Sequence, residues 1–249
     1  MPAFERLLIL GGTGEAAALA RALDARYGAA LAVTTSLAGV TPAPAPVPGT
    51  LRRGGFGGPE GLADYLRRAR IDLLIDATHP FAAQIARHAG LAAEATGIQR
   101  LVLSRPPWRP EPGDRWIEAA DLEAAAALLP GLGRRAFVTT GARGLGAFAA
   151  VAGVAFVVRL IVAPRAPLSL VAELIVGRPP FALDEERVLL QRHAIDVVVV
   201  KASGGPRAAK LTAAREAGLP VVMIARPGAQ PGATVACVED AMAWIAERM

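Results

Sequence analysis

The sequence predicts an α/β protein made of two small domains that face one another across a cleft. Short apolar runs alternate with helix-like segments almost from end to end, which is the pattern of sheets covered by helices. Each run is rich in Val, Ile or Leu, and most are followed by Gly, Ser, Thr or Pro, as in strands buried on both faces of a parallel sheet. A proline-rich segment, Arg105–Gly113, divides the chain into near halves. Mainly parallel sheets are therefore expected in both domains.

The apolar runs are predicted to form the strands. They are Arg6–Leu10, Ala30–Val33, Ile71–Ile75, Arg100–Leu103, Ala136–Thr139, Ala155–Ile161, Ile195–Val200 and Pro220–Ala225. Runs this short, bounded by turn-forming residues, favour buried strands over helices.

The segments between these runs are rich in Ala, Leu and Arg and have helical periodicity. They are Glu15–Arg26, Pro59–Arg70, Phe81–Thr96, Asp121–Leu129, Leu183–His193, Arg207–Ala217 and Glu239–Met249. Prolines stand at or near three helix starts, where a missing N–H costs nothing: Pro59, Pro80 and Pro206. Glycines stand where three helices should end: Gly28, Gly97 and Gly218.

Two stretches interrupt this alternation. Thr41–Gly58 is rich in proline and then in glycine, so we expect it to be irregular, as a flap over a cleft would be. Residues 105–114 are expected to be a linker, because four prolines fall within nine residues there. The predicted domains are thus residues 1–104, a dinucleotide-binding-like domain, and residues 115–249.

Composition limits the classes of function. With 249 residues, 53% hydrophobic and 20% charged, the chain can bury a core and lies far from disordered compositions. The net charge of +5 suits an acidic partner, such as a phosphorylated cofactor or a polycarboxylate. Nucleic-acid binding is weakly supported, because the basic residues are dispersed and only 5% of residues are aromatic. With one cysteine and no membrane-spanning or secretion segment, a cytoplasmic protein without membrane contact is expected.

The strongest local motif follows the first predicted strand. Gly12-x-Gly14-x-x-Ala17 approximates the dinucleotide fingerprint, in which glycines let the backbone approach a pyrophosphate at a helix N-terminus. The same loop is also compatible with a tight turn that holds no ligand. The next strand ends in Thr34-Thr35-Ser36 without an acidic residue for a ribose, so a bound dinucleotide is expected to be NADP.

A second motif, Asp76–Ala82, places polar residues at the carboxyl end of a strand, where ligands of open α/β sheets bind. Asp76, Thr78 and His79 are expected to line the cleft, with Thr78 as a helix cap and His79 as a proton donor or anion contact. The alternative is that Asp76 and Thr78 only satisfy the turn backbone and that His79 is packed.

Two further loops in the second half have the shape of anion sites. Val138–Gly144 places Arg143 after a hydroxyl-and-glycine turn, and Lys201–Pro206 is followed by Lys210 one turn into a helix. The Lys201 loop is not a phosphate-binding loop of the nucleotide triphosphatases, because its lysine precedes the glycines. The alternative for both loops is a glycine-rich connection with solvated bases.

A metal site is not expected. His88, His193 and Cys237 are isolated, and no pair of histidines, carboxylates or thiols has the spacing of metal ligands.

The segments LILGGTGEA, DATHPFA, SRPPW, VTTGARG and VVVVKASGG, in this order over essentially the whole chain, resemble the precorrin-6A reductase family of cobalamin biosynthesis. The resemblance implies two Rossmann-like domains with a cleft between them. It also implies an oxidoreductase that reduces one carbon–carbon double bond of a corrin-precursor macrocycle with hydride from NADPH, giving precorrin-6B. A substrate with many carboxylates suits the basic chain.

These considerations assign residues to roles. Expected to bind the cofactor are Gly11, Gly12, Thr13, Gly14, Glu15, Thr35, Ser36, Thr78 and Phe81. Expected to bind substrate carboxylates or a cofactor phosphate are Arg143, Lys201, Ser203 and Gly204. His79 is the first candidate for the proton donor.

Three alternatives lie outside this assignment. A cobalt-precorrin-6A reductase would act on a metallated macrocycle, and a non-catalytic sensor would bind NADP through the same loops. A short-chain-type reductase is disfavoured, because neither Tyr27 nor Tyr65 has a lysine four residues later.

Overall fold

The computed structural model of the chain describes residues 5–39, 46–164, 166–228 and 231–249. In chain order the elements are β1 (Arg6–Leu10), α1 (Gly14–Tyr27), β2 (Ala32–Leu37), β3 (Thr50–Arg53), α2 (Pro59–Arg68), β4 (Leu73–Asp76), α3 (Ala83–Thr96), β5 (Gln99–Leu103), β6 (Arg115–Ala119), α4 (Leu122–Leu128), β7 (Arg135–Val138), β8 (Ala155–Leu160), β9 (Ala172–Val176), α5 (Leu183–Arg192), β10 (Val197–Lys201), α6 (Ala209–Glu216), β11 (Pro220–Ile224), β12 (Ala233–Val235) and α7 (Val238–Ala246). The chain forms two compact units, Met1–Pro106 with Pro227–Met249, and Pro107–Arg226.

The first unit is built on a parallel six-stranded sheet in the order β12-β5-β4-β1-β2-β3. Its central strand β1 is buried on both faces. Leu7 and Ile9 lie in the same apolar cluster as side chains of α1 and α7, whereas Leu8 and Leu10 lie in the cluster that includes α2 and α3. This two-sided burial is why the strand is a continuous apolar run in the sequence.

The second unit is also parallel and six-stranded, in the order β6-β11-β10-β7-β8-β9. On one face, Phe137, Val157 and Val198 pack with side chains of α5 and α6. Counted along its unit from β1, the first sheet has the 3-2-1-4-5-6 order of the Rossmann fold. Counted from β7, the second sheet has the order 3-2-1-4-5, and β6, which precedes β7 in the chain, occupies the sixth place. The predicted α/β class with two Rossmann-like domains is confirmed.

The strand that lies beside β5 and the strand that lies beside β11 at the sheet edges are not the next strands along the chain. β6 follows β5 in sequence but pairs with β11, and β12 follows β11 but pairs with β5. Residues 227–249, including α7, therefore belong to the first unit, whereas the sequence placed them in a C-terminal domain of residues 115–249. Strand partners are a tertiary property, and nothing in the local sequence specified this exchange.

The predicted linker is part of the second unit from Pro107 onward. The Trp108 indole donates a hydrogen bond to the Pro206 carbonyl at 3.1 Å, and Asp114 pairs with Arg207 at 2.5 Å. The proline-rich segment thus lies at the boundary between the two units. It is not the flexible linker that was predicted, because its residues from Pro107 onward belong to the second unit.

Every predicted run and helical segment overlaps a strand or helix of the structure. β3, β6, β9 and β12 were missed, and β3 corrects the expectation that Thr41–Gly58 is irregular throughout. Residues 41–45 of that stretch lie outside the described residues. Across the parts of the chain that the structure describes, no helix is long and apolar enough to cross a membrane.

Candidate functional site

The carboxyl edge of the first sheet brings three loops together, those after β1, β2 and β4. Gly11 N donates to Ser36 O at 2.9 Å, and Ala77 N donates to Leu10 O at 3.0 Å. The Thr13 hydroxyl donates to Ala77 O at 2.8 Å. These bonds join the glycine loop to the segment that carries His79.

The glycine loop has open space where the fingerprint requires it. Thr13 caps α1, since its Oγ1 accepts from Ala16 N at 3.1 Å. A Cβ atom built on Gly12, whose φ is +111°, or on Gly14 would meet no protein atom within 4 Å, whereas one on Gly11 would lie 3.2 Å from a Thr35 methyl group. Gly11 therefore packs against the sheet, while Gly12 and Gly14 leave room for a ligand at the N-terminus of α1.

Glu15 lies in the first turn of α1 and forms an ion pair with Arg105, with Oε1 and Nη1 3.2 Å apart. The sequence assigned Glu15 to the cofactor but did not single out Arg105. The pair brings a guanidinium close to the helix N-terminus, where an anion is also stabilised by the unpaired backbone N–H groups.

The two hydroxyls at the end of β2 have different surroundings. Thr35 is 1% exposed, its hydroxyl finds no hydrogen-bond partner among the described residues, and its methyl group supports Gly11. The Ser36 hydroxyl accepts a hydrogen bond from Arg52 Nη1 at 3.3 Å. Arg52 was missed in the sequence, because only the pairing of β3 with β2 places it there.

The Asp76–Ala82 motif forms a self-contained turn at the end of β4. The buried Asp76 carboxylate accepts from Thr78 N at 3.2 Å and from Thr78 Oγ1 at 2.7 Å, and its other oxygen lies 3.7 Å from Arg100 Nη1. Thr78 is not the helix cap that the sequence suggested, because α3 begins only at Ala83 and no side chain caps it. The Thr78 hydroxyl donates to the Asp76 carboxylate within the turn that precedes α3.

His79 and Phe81 are partly buried beside this turn. Phe81 N donates to His79 Nδ1 at 3.2 Å, and the two ring centroids are 5.9 Å apart. Because Nδ1 accepts this bond, a neutral His79 carries its proton on Nε2. This orientation is compatible with the predicted proton donor, which stays a prediction.

In the second unit, Lys210 lies at the carboxyl edge of the sheet. Its Nζ donates a hydrogen bond to Thr139 Oγ1 at 3.1 Å, and Thr139 Oγ1 in turn donates one to Val199 O at 3.3 Å. The pKa of Lys210 is lowered to about 8, chiefly by burial and also by the positive charge of Arg159, while the negative charge of Glu186 opposes both effects.

Lys201 and Arg143 act on one another electrostatically. Burial lowers the pKa of Lys201, and the positive charge of Arg143 lowers it further. The structure therefore places these two predicted substrate-binding residues close enough for their like charges to interact. An anion bound there would relieve that repulsion.

Arg226 was not singled out in the sequence, yet it shapes the loop that carries Ser203 and Gly204. Its Nε donates to Ala202 O at 2.6 Å and its Nη2 to Ser203 O at 2.7 Å. The Ser203 hydroxyl donates back to Lys201 O at 3.2 Å, and Gly204 has a φ of +68°. The partners of Arg226 are backbone carbonyls, which every residue has, so the sequence gives no sign of these contacts.

A buried ion pair was also missed. Arg159 Nη2 and Glu186 Oε1 are 2.7 Å apart, and both side chains are almost fully buried. The Arg159 guanidinium lies 3.7 Å from the Phe181 ring centroid. In the described parts of the chain, no group of three or more His, Cys, Asp or Glu side chains could hold a metal ion.

A sequence model of the precorrin-6x reductase CbiJ/CobK family matches residues 6–246. The chain belongs to this family. The precorrin-6A reductase of Rhodococcus erythropolis is 48% identical over 96% of this chain and 97% of its own. The solved structure of CobK precorrin-6A reductase superposes with a TM-score of 0.92, at 41% identity, over 98% of this chain and 97% of that chain.

A cobalt-precorrin-6A reductase from Synechocystis is 33% identical over 70% of this chain and 70% of its own. The resemblance to the family that the sequence motifs indicated is confirmed. A reductase of this family implies a reduced nicotinamide cofactor.

Proposed function

We propose that the chain reduces a carbon–carbon double bond of precorrin-6A with hydride from NADPH, giving precorrin-6B. The observation that carries this proposal is the open space at Gly12 and Gly14, at the N-terminus of α1 and tied through Thr13 to the His79 segment. The higher identity to a relative named precorrin-6A reductase than to one named cobalt-precorrin-6A reductase supports the metal-free substrate.

The residues of the glycine loop fit a dinucleotide. Gly12 and Gly14 let the backbone approach a pyrophosphate, and the first turn of α1 provides N–H donors for it. Thr13 fixes the loop by capping the helix. When bound, the reduced nicotinamide supplies the hydride.

The second unit supplies cations that suit the substrate. Arg143 and Lys201 already repel one another, so the acetate and propionate groups of the macrocycle would be stabilised by both charges. Arg226 holds the adjoining Ser203 loop in place.

A proton must reach the carbon next to the one that accepts hydride, because hydride addition alone would leave a carbanion. His79 Nε2–H is the donor in this proposal, since Phe81 N occupies its Nδ1.

The test is to titrate NADPH and NADH separately into the purified protein and then to add precorrin-6A while following the nicotinamide absorbance. Preferential NADPH binding with precorrin-6A-dependent oxidation is expected. Oxidation with cobalt-precorrin-6A alone would reassign the substrate, and binding without oxidation by either macrocycle would leave a sensor. Absence of nucleotide binding would refute the role of the glycine loop.

A further inference from the structure

We infer that Arg52 binds the 2′-phosphate of the cofactor and thereby makes the site prefer NADPH over NADH. This inference rests on the proposed function, because it concerns the adenosine end of the same cofactor.

The position of Arg52 follows from strand pairing. β3 pairs in parallel with β2, with Arg52 opposite Ser36, and the Ser36 carbonyl accepts the hydrogen bond of Gly11 N at 2.9 Å. Arg52 therefore lies beside the carboxyl end of β2, and only β2 separates its strand from β1, which leads into the glycine loop. In dinucleotide-binding folds this end of the second strand faces the adenosine ribose.

The guanidinium is held by neutral groups. Arg52 Nη1 donates to Gly54 O at 2.6 Å and to Ser36 Oγ at 3.3 Å, and Nη2 donates to Gly55 O at 2.7 Å. The Cζ atom of Arg52 lies 3.7 Å from the centroid of the Phe56 ring. These contacts fix the plane of the guanidinium before any ligand binds.

Within the part of the chain that the structure describes, no carboxylate forms an ion pair with Arg52. Three of its five N–H groups make the bonds above, and Nε–H and one Nη2–H have no hydrogen-bond partner among residues 5–39, 46–164, 166–228 and 231–249. These two groups are the ones that would bind a ligand. A planar fork with a fixed orientation matches the oxygens of a phosphate dianion.

The end of β2 also lacks the group that would oppose a phosphate. Thr35, Ser36 and Leu37 occupy the positions where a carboxylate would bind the ribose 2′-hydroxyl of NADH. The Ser36 hydroxyl, next to the guanidinium, adds a second polar contact for the phosphate.

A purely structural role is the competing explanation, because Arg52 also organises residues 54–56. Phe56 in turn packs edge-on against Tyr65, with ring centroids 5.3 Å apart. Loss of this support would weaken every adenosine nucleotide, whereas loss of a phosphate contact would weaken only those with a 2′-phosphate. The two roles are thus separable.

The experiment measures binding of 2′,5′-ADP and of 5′-ADP by calorimetry to the full chain and to Arg52→Gln, Arg52→Lys and Arg53→Gln. Arg52→Gln is expected to weaken 2′,5′-ADP by about 10- to 100-fold, the range of a charge-assisted contact, and to change 5′-ADP less than about 2-fold. Arg52→Lys should lie between, and Arg53→Gln controls for loss of one charge on the same strand. Far-ultraviolet circular dichroism checks that each variant is folded, and the lysine variant carries the test if the glutamine variant is not.

If Arg52→Gln weakened the binding of 2′,5′-ADP and of 5′-ADP equally, the inference would be overturned and Arg52 would only support the loop. Unchanged affinity for both nucleotides would also overturn the inference. Equal affinity of the unmodified protein for the two nucleotides would also overturn it while leaving the nicotinamide site intact. If the unmodified protein bound neither nucleotide and did not oxidise NADPH with precorrin-6A, the proposed function itself would fail.

Discussion

The Thr13 hydroxyl donates to the Ala77 carbonyl at 2.8 Å, joining the N-terminus of α1 to the segment that carries His79. Because the same oxygen accepts the hydrogen bond of Ala16 N, a single side chain both caps the helix and sets the distance between the two loops.

Replacement of Thr13 by alanine should remove both contacts. We expect a loss of about 1 kcal/mol in unfolding free energy from the cap and a rise in the NADPH dissociation constant, whereas Thr13→Ser should restore both. Asp121→Ala is the control, since it removes the equivalent cap of α4. Equal nucleotide affinity in the Thr13 and Asp121 alanine variants would show that the link to Ala77 does not matter for the cofactor.

A side chain at Gly14 should block the cofactor without straining the protein. Its backbone lies outside the positive-φ region and a Cβ there meets only open space, so Gly14→Val should fold normally and weaken NADPH at least about 10-fold. Gly12→Val should also abolish binding, but the φ of +111° adds strain. Gly131→Val is the matched control, because a Cβ there also meets nothing within 4 Å. Full NADPH affinity in Gly14→Val would refute the loop assignment.

Loss of the His79 imidazole should affect turnover more than binding. We expect His79→Ala to lower kcat by about 100-fold or more, the range for loss of a general acid, with NADPH affinity unchanged. Steady-state rates with precorrin-6A measure this, and His88→Ala on α3 serves as the control. Unchanged turnover would remove His79 from any catalytic role.

The lowered pKa of Lys210 predicts a stability that rises with pH. Between about 8, its pKa in the folded protein, and the ordinary value of 10.5, the unfolded chain holds the proton and the folded one does not. The unfolding free energy should therefore increase by up to roughly 3 kcal/mol as the pH rises through this window. Below about pH 8 the folded protein carries the full cost of the buried Lys210 charge. Urea unfolding of Lys210→Met at several pH values isolates this contribution, because the variant should lack that rise. Parallel pH curves for both proteins would contradict it.

Breaking the Arg159–Glu186 pair should be costly. Glu186→Gln leaves a buried guanidinium without its counter-charge, so we expect a loss of about 3–5 kcal/mol in unfolding free energy. The double variant Arg159→Met with Glu186→Leu should recover most of it. Asp64→Asn, which disrupts an exposed pair with Arg67, should cost less than about 1 kcal/mol. If Glu186→Gln lowered the unfolding free energy by less than about 1 kcal/mol, as expected for Asp64→Asn, water would have to reach the Arg159–Glu186 pair.

Local order was predictable where chemistry and periodicity coincide within a few residues. The bounds of β1 were correct and α1 begins one residue earlier than predicted, because an apolar strand, a glycine turn and an N-cap follow one another there. Thr78 was misassigned as a cap because α3 begins at Ala83, five residues further along the chain than Thr78. Arg52 and Arg226 were not predictable as site residues, because their partners are backbone carbonyls and a serine brought near by the fold.

The exchanged strands fix an order in which the two units can be completed on the ribosome. Pro107–Arg226 is one continuous stretch, so the second unit has all its strands once residue 226 has emerged. The first unit is synthesised first but waits for Ala233–Val235 to fill the place beside β5 and for α7 to cover α1. Until then the nascent chain exposes the edge of β5 and the apolar side chains that Ala241 and Ile245 later bury. The unit that is synthesised first is therefore the last to acquire all its strands.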